Sequence, residues 1–499
     1  MGKVIKEGFK LSLISYTGAA IGYVNKILLF TNILTAPQLG LIGILVNVAG
    51  MFAQGAGMGT PLVIGRFLPF LKTTDNRNNG MLFWVLAFSF TGFLLCSGGL
   101  LLFKEQILAH YSESPMLREY FLYLIPVILS TVLFNIFDMY LRMYGKNIFT
   151  GFVQDILLRL SGSVSIVLYA TGLIDFHNFV GLYIFFQCTP ALLLIGYMYY
   201  HNLFKLHPVR NAFNNKLYRI AMPYGFFSLL NGFSNHALTT IDKLMLISFS
   251  GVIGLTQSAI YDTAYNMVSF MLVPYRAIMR IVQPDVSNYC KTKNRKELQK
   301  IYRQTSLILL IIALYLFTVI WINLDSLYNV MPDQYRLGKP VFFLLGLGQI
   351  ITFYTGINGL ILINSKKYLF DMVSNILLIG FAICTNYIFI PLYGLSGAAL
   401  ATAITTLFFN AVRTFTVWYF FRIHPFAWSD IWFFVLVGAC IYLSGLVPVN
   451  IHWIVDVIFR SMVFTLFFGV PVYFSGISPE INNVVDIVIL KVLKYGKKE

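Results

Sequence analysis

The ionisable side chains that fall inside apolar stretches are the first candidates for chemistry. Lys26 stands about 16 residues into an apolar run, roughly 24 Å of helix at 1.5 Å per residue. A charge at the bilayer centre costs at least ~2.5 kcal/mol on insertion scales, so such a residue is expected to face protein or a wet cavity. No carboxylate stands three or four positions from Lys26. A diphosphate would supply its partner; the alternative is a lysine that snorkels to the outer interface. Asn25 beside it suits a sugar hydroxyl or a neighbouring helix. Arg159 follows Asp155 by four residues, a spacing that fits a private ion pair or a cavity wall. Asp262 sits in the outer half of its run and is the ion-coupling candidate, with Asp155 as the second. It would take up a proton or sodium ion, or serve as counter-ion to Lys26.

Arg66, Arg142, Arg276, Arg280 and Arg413 fall near one end of their apolar runs. The guanidinium fork stays charged and binds phosphate bidentately. These arginines form either a basic mouth for an anionic headgroup or an ordinary cytoplasmic rim in contact with lipid phosphates. Asp138 and Asp371 lie close to the same surface, where solvation explains them. His236 would titrate near neutrality or be a packed, hydrogen-bonded residue. Asn47, Gln54, Asn135, Gln187, Asn231, Asn235, Asn266, Gln349, Asn358 and Asn410 offer sugar contacts or interhelical hydrogen bonds. The run Gly55-Ala56-Gly57-Met58-Gly59 lacks the Lys-Ser/Thr of a phosphate loop and reads as close helix packing. No G-x-x-x-x-G-K-[ST], H-E-x-x-H or Cys/His cluster is present, so nucleotide hydrolysis, a metal and other cofactors are not expected. The five cysteines form no framework.

The elements that carry these residues follow from composition. Hydrophobic residues make up 58% of 499 and charged residues 11%, against about 25% charged in a soluble domain. That is an integral membrane protein with apolar residues enough for about fourteen helices of about 20 residues. The runs lie at 11–34, 39–61, 81–103, 119–141, 151–173, 179–200, 218–241, 255–277, 305–324, 340–363, 368–390, 395–421, 430–447 and 453–475. They are continuously apolar, as from Leu307 to Leu316, rather than alternating in the manner of a barrel. With the N-terminus inside, 27 of the 36 Lys and Arg fall in inner segments and five, Lys104, Arg118, Lys243, Arg336 and Lys339, in outer ones. The positive-inside rule then places both termini in the cytoplasm. Most of the net charge of +16 is topological, and no nucleic-acid partner is needed to explain it. The enzyme reading is disfavoured because the outer segments are short.

An internal repeat organises the spans. Tyr144-Gly145-Lys146-Asn147 with Asp155-Ile156-Leu157-Leu158 aligns at an offset of 220 with Asn364-Ser365-Lys366-Lys367 and Asn375-Ile376-Leu377-Leu378; near 214, Leu39-Gly40-Leu41 meets Ile253-Gly254-Leu255. The expected architecture is all-α: a six-helix bundle at 1–204, a second at 205–425 related by a pseudo-two-fold along the membrane normal, and two extra helices with a basic tail at 426–499. A substrate site belongs at the interface of such halves. Arg460, four residues after Asp456, falls outside both halves and reads as structural.

Three strings carry a family likeness: Pro37-Gln38-Leu39-Gly40, Ile241-Asp242-Lys243-Leu244, and Ile390-Pro391-Leu392-Tyr393-Gly394-Leu395-Ser396-Gly397-Ala398-Ala399. With two six-helix bundles and two extra helices, the chain resembles the multidrug/oligosaccharidyl-lipid/polysaccharide (MOP) exporter superfamily, and the last string is similar to the P-x-x-G-x-x-G-A link of its O-antigen and capsule-repeat (Wzx-type) flippases. The resemblance implies a MATE-like fold and alternating-access transport of an undecaprenyl-diphosphate-linked oligosaccharide across a bacterial inner membrane. A proton or sodium ion would be the coupling partner, and glycosyltransferases and a polysaccharide polymerase the functional neighbours. A multidrug cation antiporter, a lipid II flippase and a membrane glycan polymerase or ligase are the competing readings. The antiporter is disfavoured because the first run carries Lys26 and neither Asp nor Glu.

Overall fold

A backbone inside hydrocarbon must satisfy its own hydrogen bonds, which for continuously apolar runs leaves the helix. The computed structural model describes residues 2–73, 78–207, 215–365, 367–445 and 453–474, and these are helical, with no strand among them. Of the topology-setting cations, Arg77, Arg210, Lys366 and those at 491–498 lie outside the described residues, as do the side chains of Asn231 and Asn235.

The helices are α1 (Leu13–Ile33), α2 (Ala36–Ala56), α3 (Thr60–Leu71), α4 (Met81–Leu102), α5 (Pro115–Met143), α6 (Asn147–Ala170), α7 (Phe176–Tyr200), α8 (Asn215–Ser250), α9 (Gly254–Ser269), α10 (Leu272–Thr292), α11 (Arg295–Tyr328), α12 (Gly338–Tyr354), α13 (Asn358–Ile363), α14 (Tyr368–Phe421), α15 (Ile431–Gly445) and α16 (Trp453–Phe474). Among the described residues, 11 helical stretches are long and apolar enough to cross a membrane. Two are twice the needed length: Met222–Ser269 with 48 residues and Val373–Phe421 with 49. A 3-10 turn at Gly251–Ile253 breaks the first. Gly394 (φ 55, ψ −128) breaks the second in a conformation only glycine adopts readily. Dividing both, and adding the shorter α15, accounts for the fourteen expected spans. The Pro391–Ala399 string is therefore a tight link between two crossings. A Cβ on Gly397 would stand 2.0 Å from the Phe389 carbonyl oxygen, so the returning helix can start only from glycine.

Local signals fix where helices begin. Pro37 occupies the first turn of α2, where its missing N–H costs nothing, and the Thr35 N–H donates to Gln38 Oε1 at 2.9 Å, half of a capping box. Asp175 Oδ1 accepts from the Asn178 N–H at the start of α7, and Asn294 does the same for Glu297 on α11. The glycine run at 55–59 is a break in the second span: α2 ends at Ala56, Met58 and Gly59 have positive φ, and α3 restarts at Thr60. It also packs closely, since a Cβ on Gly92 would meet the Ala56 carbonyl oxygen at 2.3 Å.

The chain divides into two compact units, Met1–Asp262 and Thr263–Glu499. In the first, α2 and α5 are the central helices. Their buried faces, with Leu41, Ile44, Ile128 and Phe137, pack with Phe179 and Leu194 of α7 and with Ile247 of α8. In the second, Tyr302, Ile357, Ile361 and Val417 pack one end of α11, α13 and α14. The outward faces of both units remain apolar, as Leu102, Tyr200, Val252, Leu377 and Phe474 illustrate, which suits hydrocarbon rather than water.

The two last helices are tied to the second unit by charge. Arg303, on the long α11, forks onto both carboxylate oxygens of Asp430 and donates to the Pro425 carbonyl at 2.7 Å. The Tyr354 hydroxyl donates to Asp430 at 2.9 Å, and Gln299 exchanges two hydrogen bonds with the His424 backbone. On α16, Arg460 pairs with Asp456 at 2.6 Å and Asp456 accepts from Ser326 of α11, which agrees with the structural reading of that pair. Asp430 is 1% exposed, and removing one member of a buried pair strands the other, at a cost of about 3–5 kcal/mol. Arg303→Ala is expected to lower the thermal midpoint of the detergent-purified protein by that much stability. Arg303→Lys should recover only part of it, because an ammonium cannot fork.

Candidate functional site

Three charged side chains of the first unit meet among its apolar helices. Lys26 lies in a π-helical segment of α1, Val24–Leu29. Such single wide turns concentrate at functional sites. Its ammonium is 3.6 Å from Asp262 Oδ2. The other oxygen of Asp262 binds the ammonium of Lys243 on α8 in a short contact. One residue away on each helix, the Tyr261 hydroxyl donates to Asp242 Oδ2 at 2.8 Å. Asp242 and Lys243 are almost wholly buried, whereas 48% of the Lys26 side chain is exposed. Asp262 also faces α2 at Gly43, where a Cβ would lie 3.7 Å from its carboxylate. One carboxylate thus receives a fixed, buried ammonium and an accessible one.

Lys243 corrects the sequence reading, which placed it in an outer segment because the seventh run was ended at residue 241. The helix runs on to Ser250, and Lys243 folds back into protein. The signal was available. The chain turns at Gly251–Ile253 and brings α9 back beside α8, so that Lys243 meets Asp262 and Asp242 meets Tyr261. Asp262 serves as counter-ion to Lys26, one of its two expected roles.

A second cluster lies between α1 and α6, where π-helical turns again interrupt the α-helix, at Val153–Leu157. Asp155 Oδ2 accepts from the Ser15 hydroxyl at 2.7 Å, and Oδ1 lies 3.9 Å from Arg159 Nη2. The helices approach closely: a Cβ on Gly18 would meet the Asp155 carbonyl oxygen at 2.2 Å, and one on Gly22 would touch the Arg159 side chain at 3.1 Å. Arg159 Nη1 is enclosed without a hydrogen-bond partner among the described residues. Asn25 is buried; it donates to the Arg159 carbonyl at 2.7 Å and accepts from Ser163 at 2.7 Å. Of its two readings, these bonds show the tie between helices.

The arginines of the expected mouth separate into distinct situations. Arg142 pairs with Asp138 at 2.9 Å. In the second unit, Arg413 pairs with the nearly buried Asp371 at 2.6 Å, lies over the Phe409 ring at 3.9 Å and packs on Gly359. Asp138 and Asp371 are thus ion-paired rather than left to solvent. Arg66 is exposed and stacks over Tyr224 at 4.5 Å. Arg276 and Arg280 are exposed on α10; like Arg66, neither has a salt bridge among the described residues. His236 stands beside Gly50 of α2, 3.7 Å from a Cβ there, and is exposed. Several of the polar residues are interhelical or intrahelical bonds: Asn410 accepts from Thr355, Asn358 donates to Thr414, and Asn47 donates to the Gly43 carbonyl.

No family model matches the sequence, and no curated protein matches it. Solved structures do. The chain is similar to the lipid II flippase MurJ in an inward closed conformation, with TM-score 0.72 and 14% identity over 93% of this chain and 99% of that one. It is also similar to an inward-facing multidrug resistance MATE family transporter of the MOP superfamily, with TM-score 0.65 and 14% identity over 82% and 98%. A third is a MOP superfamily transporter from Pyrococcus furiosus, reported to have a binding pocket of reversed polarity, with TM-score 0.53 and 14% identity over 84% and 96%. At such identities the likeness is one of fold: the chain is an all-α, polytopic membrane protein with the architecture of MOP superfamily flippases and transporters.

Proposed function

We propose that the protein is a flippase that carries an undecaprenyl-diphosphate-linked oligosaccharide from the inner to the outer leaflet of a bacterial cytoplasmic membrane by alternating access. The observation that carries the reading is the lysine-rich centre at membrane depth, in which Asp262 holds the buried Lys243 and the accessible Lys26. A diphosphate arriving beside Lys26 competes with Asp262 for an ammonium that is accessible and 3.6 Å from its carboxylate. The Lys243–Asp262 pair keeps the site folded while Lys26 changes partner. An organic cation would find this carboxylate already occupied by two ammoniums, which disfavours the multidrug antiporter on the same fold. Arg159, Arg66, Arg276 and Arg280 are further candidates for the diphosphate, and protonation of Asp262 or Asp155 would couple release to an ion gradient. The lipid tail stays in the bilayer throughout. Both termini are assigned to the cytoplasm by the distribution of cations.

A lipid II flippase is the second reading, favoured by the likeness to MurJ over nearly the full length of both chains. Its cargo carries the same diphosphate, so the same centre would serve. The two separate in a deletion strain. Loss of surface repeat units with cell-wall synthesis intact supports the oligosaccharide cargo, and arrested peptidoglycan synthesis supports lipid II.

Lys26→Ala is expected to abolish surface glycan and to accumulate lipid-linked precursor on the inner leaflet, with protein yield and thermal midpoint unchanged; Lys26→Arg should keep part of the export. Unchanged surface glycan in Lys26→Ala would remove the residue from the mechanism. Lys243→Met should behave differently. It leaves Asp262 with the more accessible lysine alone and should cost about 3 kcal/mol of stability, toward the lower end for a broken buried pair. Adding Asp262→Leu should restore the midpoint, measured by thermal unfolding, while export stays lost.

A further inference from the structure

A large groove of the first unit lies away from the charged centre. It occupies about 880 Å³ between α3, α4 and the start of α8, and Met58, Val63, Trp84, Phe88, Met222 and Phe226 are among the residues of its wall. From Trp84 to Thr91 it follows about two helical turns, roughly 10 Å of depth, at the end of these spans that the cation distribution assigns to the inner leaflet. A backbone contact sets its floor: Gly59, at φ +72, has no room for a Cβ, which would fall 2.0 Å from the Gly225 carbonyl oxygen. That approach brings α8 against the restarted second span.

The lining is mostly apolar. Its two threonine hydroxyls are engaged locally, Thr60 with the Gly57 carbonyl at 2.7 Å and Thr91 with the Ala87 carbonyl at 3.0 Å, and no carboxylate lines it. A glycan would find few hydrogen-bonding partners there, whereas flexible Met58 and Met222 suit an irregular apolar chain. One end is charged. Arg66 lies one turn beyond Val63 on α3, its guanidinium over the ring of Tyr224, between groove residues Pro223 and Gly225. Stacking covers one face of the guanidinium and leaves its N–H edge for a phosphate.

We infer that this groove docks the proximal isoprenoid units of the polyprenyl chain, with Arg66 on the diphosphate, as the entry position of the cargo before its headgroup reaches Lys26. The inference rests on the flippase reading and adds the place of first binding. Charge complementarity selects a phosphate-terminated apolar chain, and the depth of the groove matches the leaflet in which that chain arrives.

The test is photolabelling of the full-length protein in nanodiscs with a diazirine-bearing undecaprenyl diphosphate, followed by peptide mapping. Labels are expected on Trp84, Phe88 and Phe226, competed by unlabelled undecaprenyl diphosphate but not by a tenfold excess of phosphatidylglycerol. Arg66→Ala should weaken the apparent affinity five- to tenfold and flatten its salt dependence, and Arg66→Lys should recover part of it. Equal competition by phosphatidylglycerol would make the groove a site for ordinary bilayer lipid and overturn the inference, as would cross-links to a second copy of the chain. Labelling confined to other segments would overturn the groove while leaving the flippase reading intact; no binding of the probe at all would remove both.

Discussion

A charge placed at bilayer depth must find its compensation inside the protein, and that constraint explains more of this structure than any other. Lys243 and Asp262 compensate each other, Asp155 and Arg159 lie together beside Ser15, and Asp371 holds Arg413. The Lys243–Asp262 and Arg413–Asp371 pairs and the Ser15–Asp155 bond also fix the position of one segment against another, so these charges are structural. What distinguishes Lys26 is accessibility. It shares a carboxylate with a better-buried ammonium, is half exposed, and sits on a wide helical turn. A ligand that offers more negative charge than half of Asp262 can draw it away without unfolding the site.

Breaks in the helices place these groups. The π-helical turns in α1 and α6 fall at Lys26 and Asp155, and each shifts the side chains beyond it around the helix. The break at Gly57–Gly59 redirects the second span and opens the groove that α4 and α8 enclose. Regular helices alone would give a packed bundle. The interruptions are where the bundle acquires concave, polar or lysine-bearing surface.

Much of this was legible beforehand, because it depends on composition and local pattern. The membrane class, the approximate span positions, the glycine link at Gly394 and Gly397 and the Asp456–Arg460 pair all follow from residue types and spacing. Partners across helices were harder. Asp371 reads as solvated although Arg413 holds it, since nothing in a linear sequence says that Arg413 folds onto Asp371, 42 positions away; the Asp138–Arg142 pair, by contrast, has the four-residue spacing of a helical ion pair. Lys243 was misplaced by ending a helix nine residues early, an error that the complementary order of Asp242-Lys243 and Tyr261-Asp262 would have corrected. The π-helical turns have no simple sequence signature and became visible only with the backbone.

The most direct measurement of the central claim is equilibrium binding to the purified protein of three ligands that differ only at the headgroup: undecaprenyl-diphosphate disaccharide, the corresponding uncharged polyprenyl glycoside, and a lipophilic organic cation. The account predicts that the diphosphate binds at least tenfold more tightly than the neutral lipid, about 1.4 kcal/mol, that this advantage shrinks as salt is raised, and that the cation does not compete. Equal affinity for charged and neutral lipids, or displacement by the cation, would contradict an anion-binding centre built on Lys26.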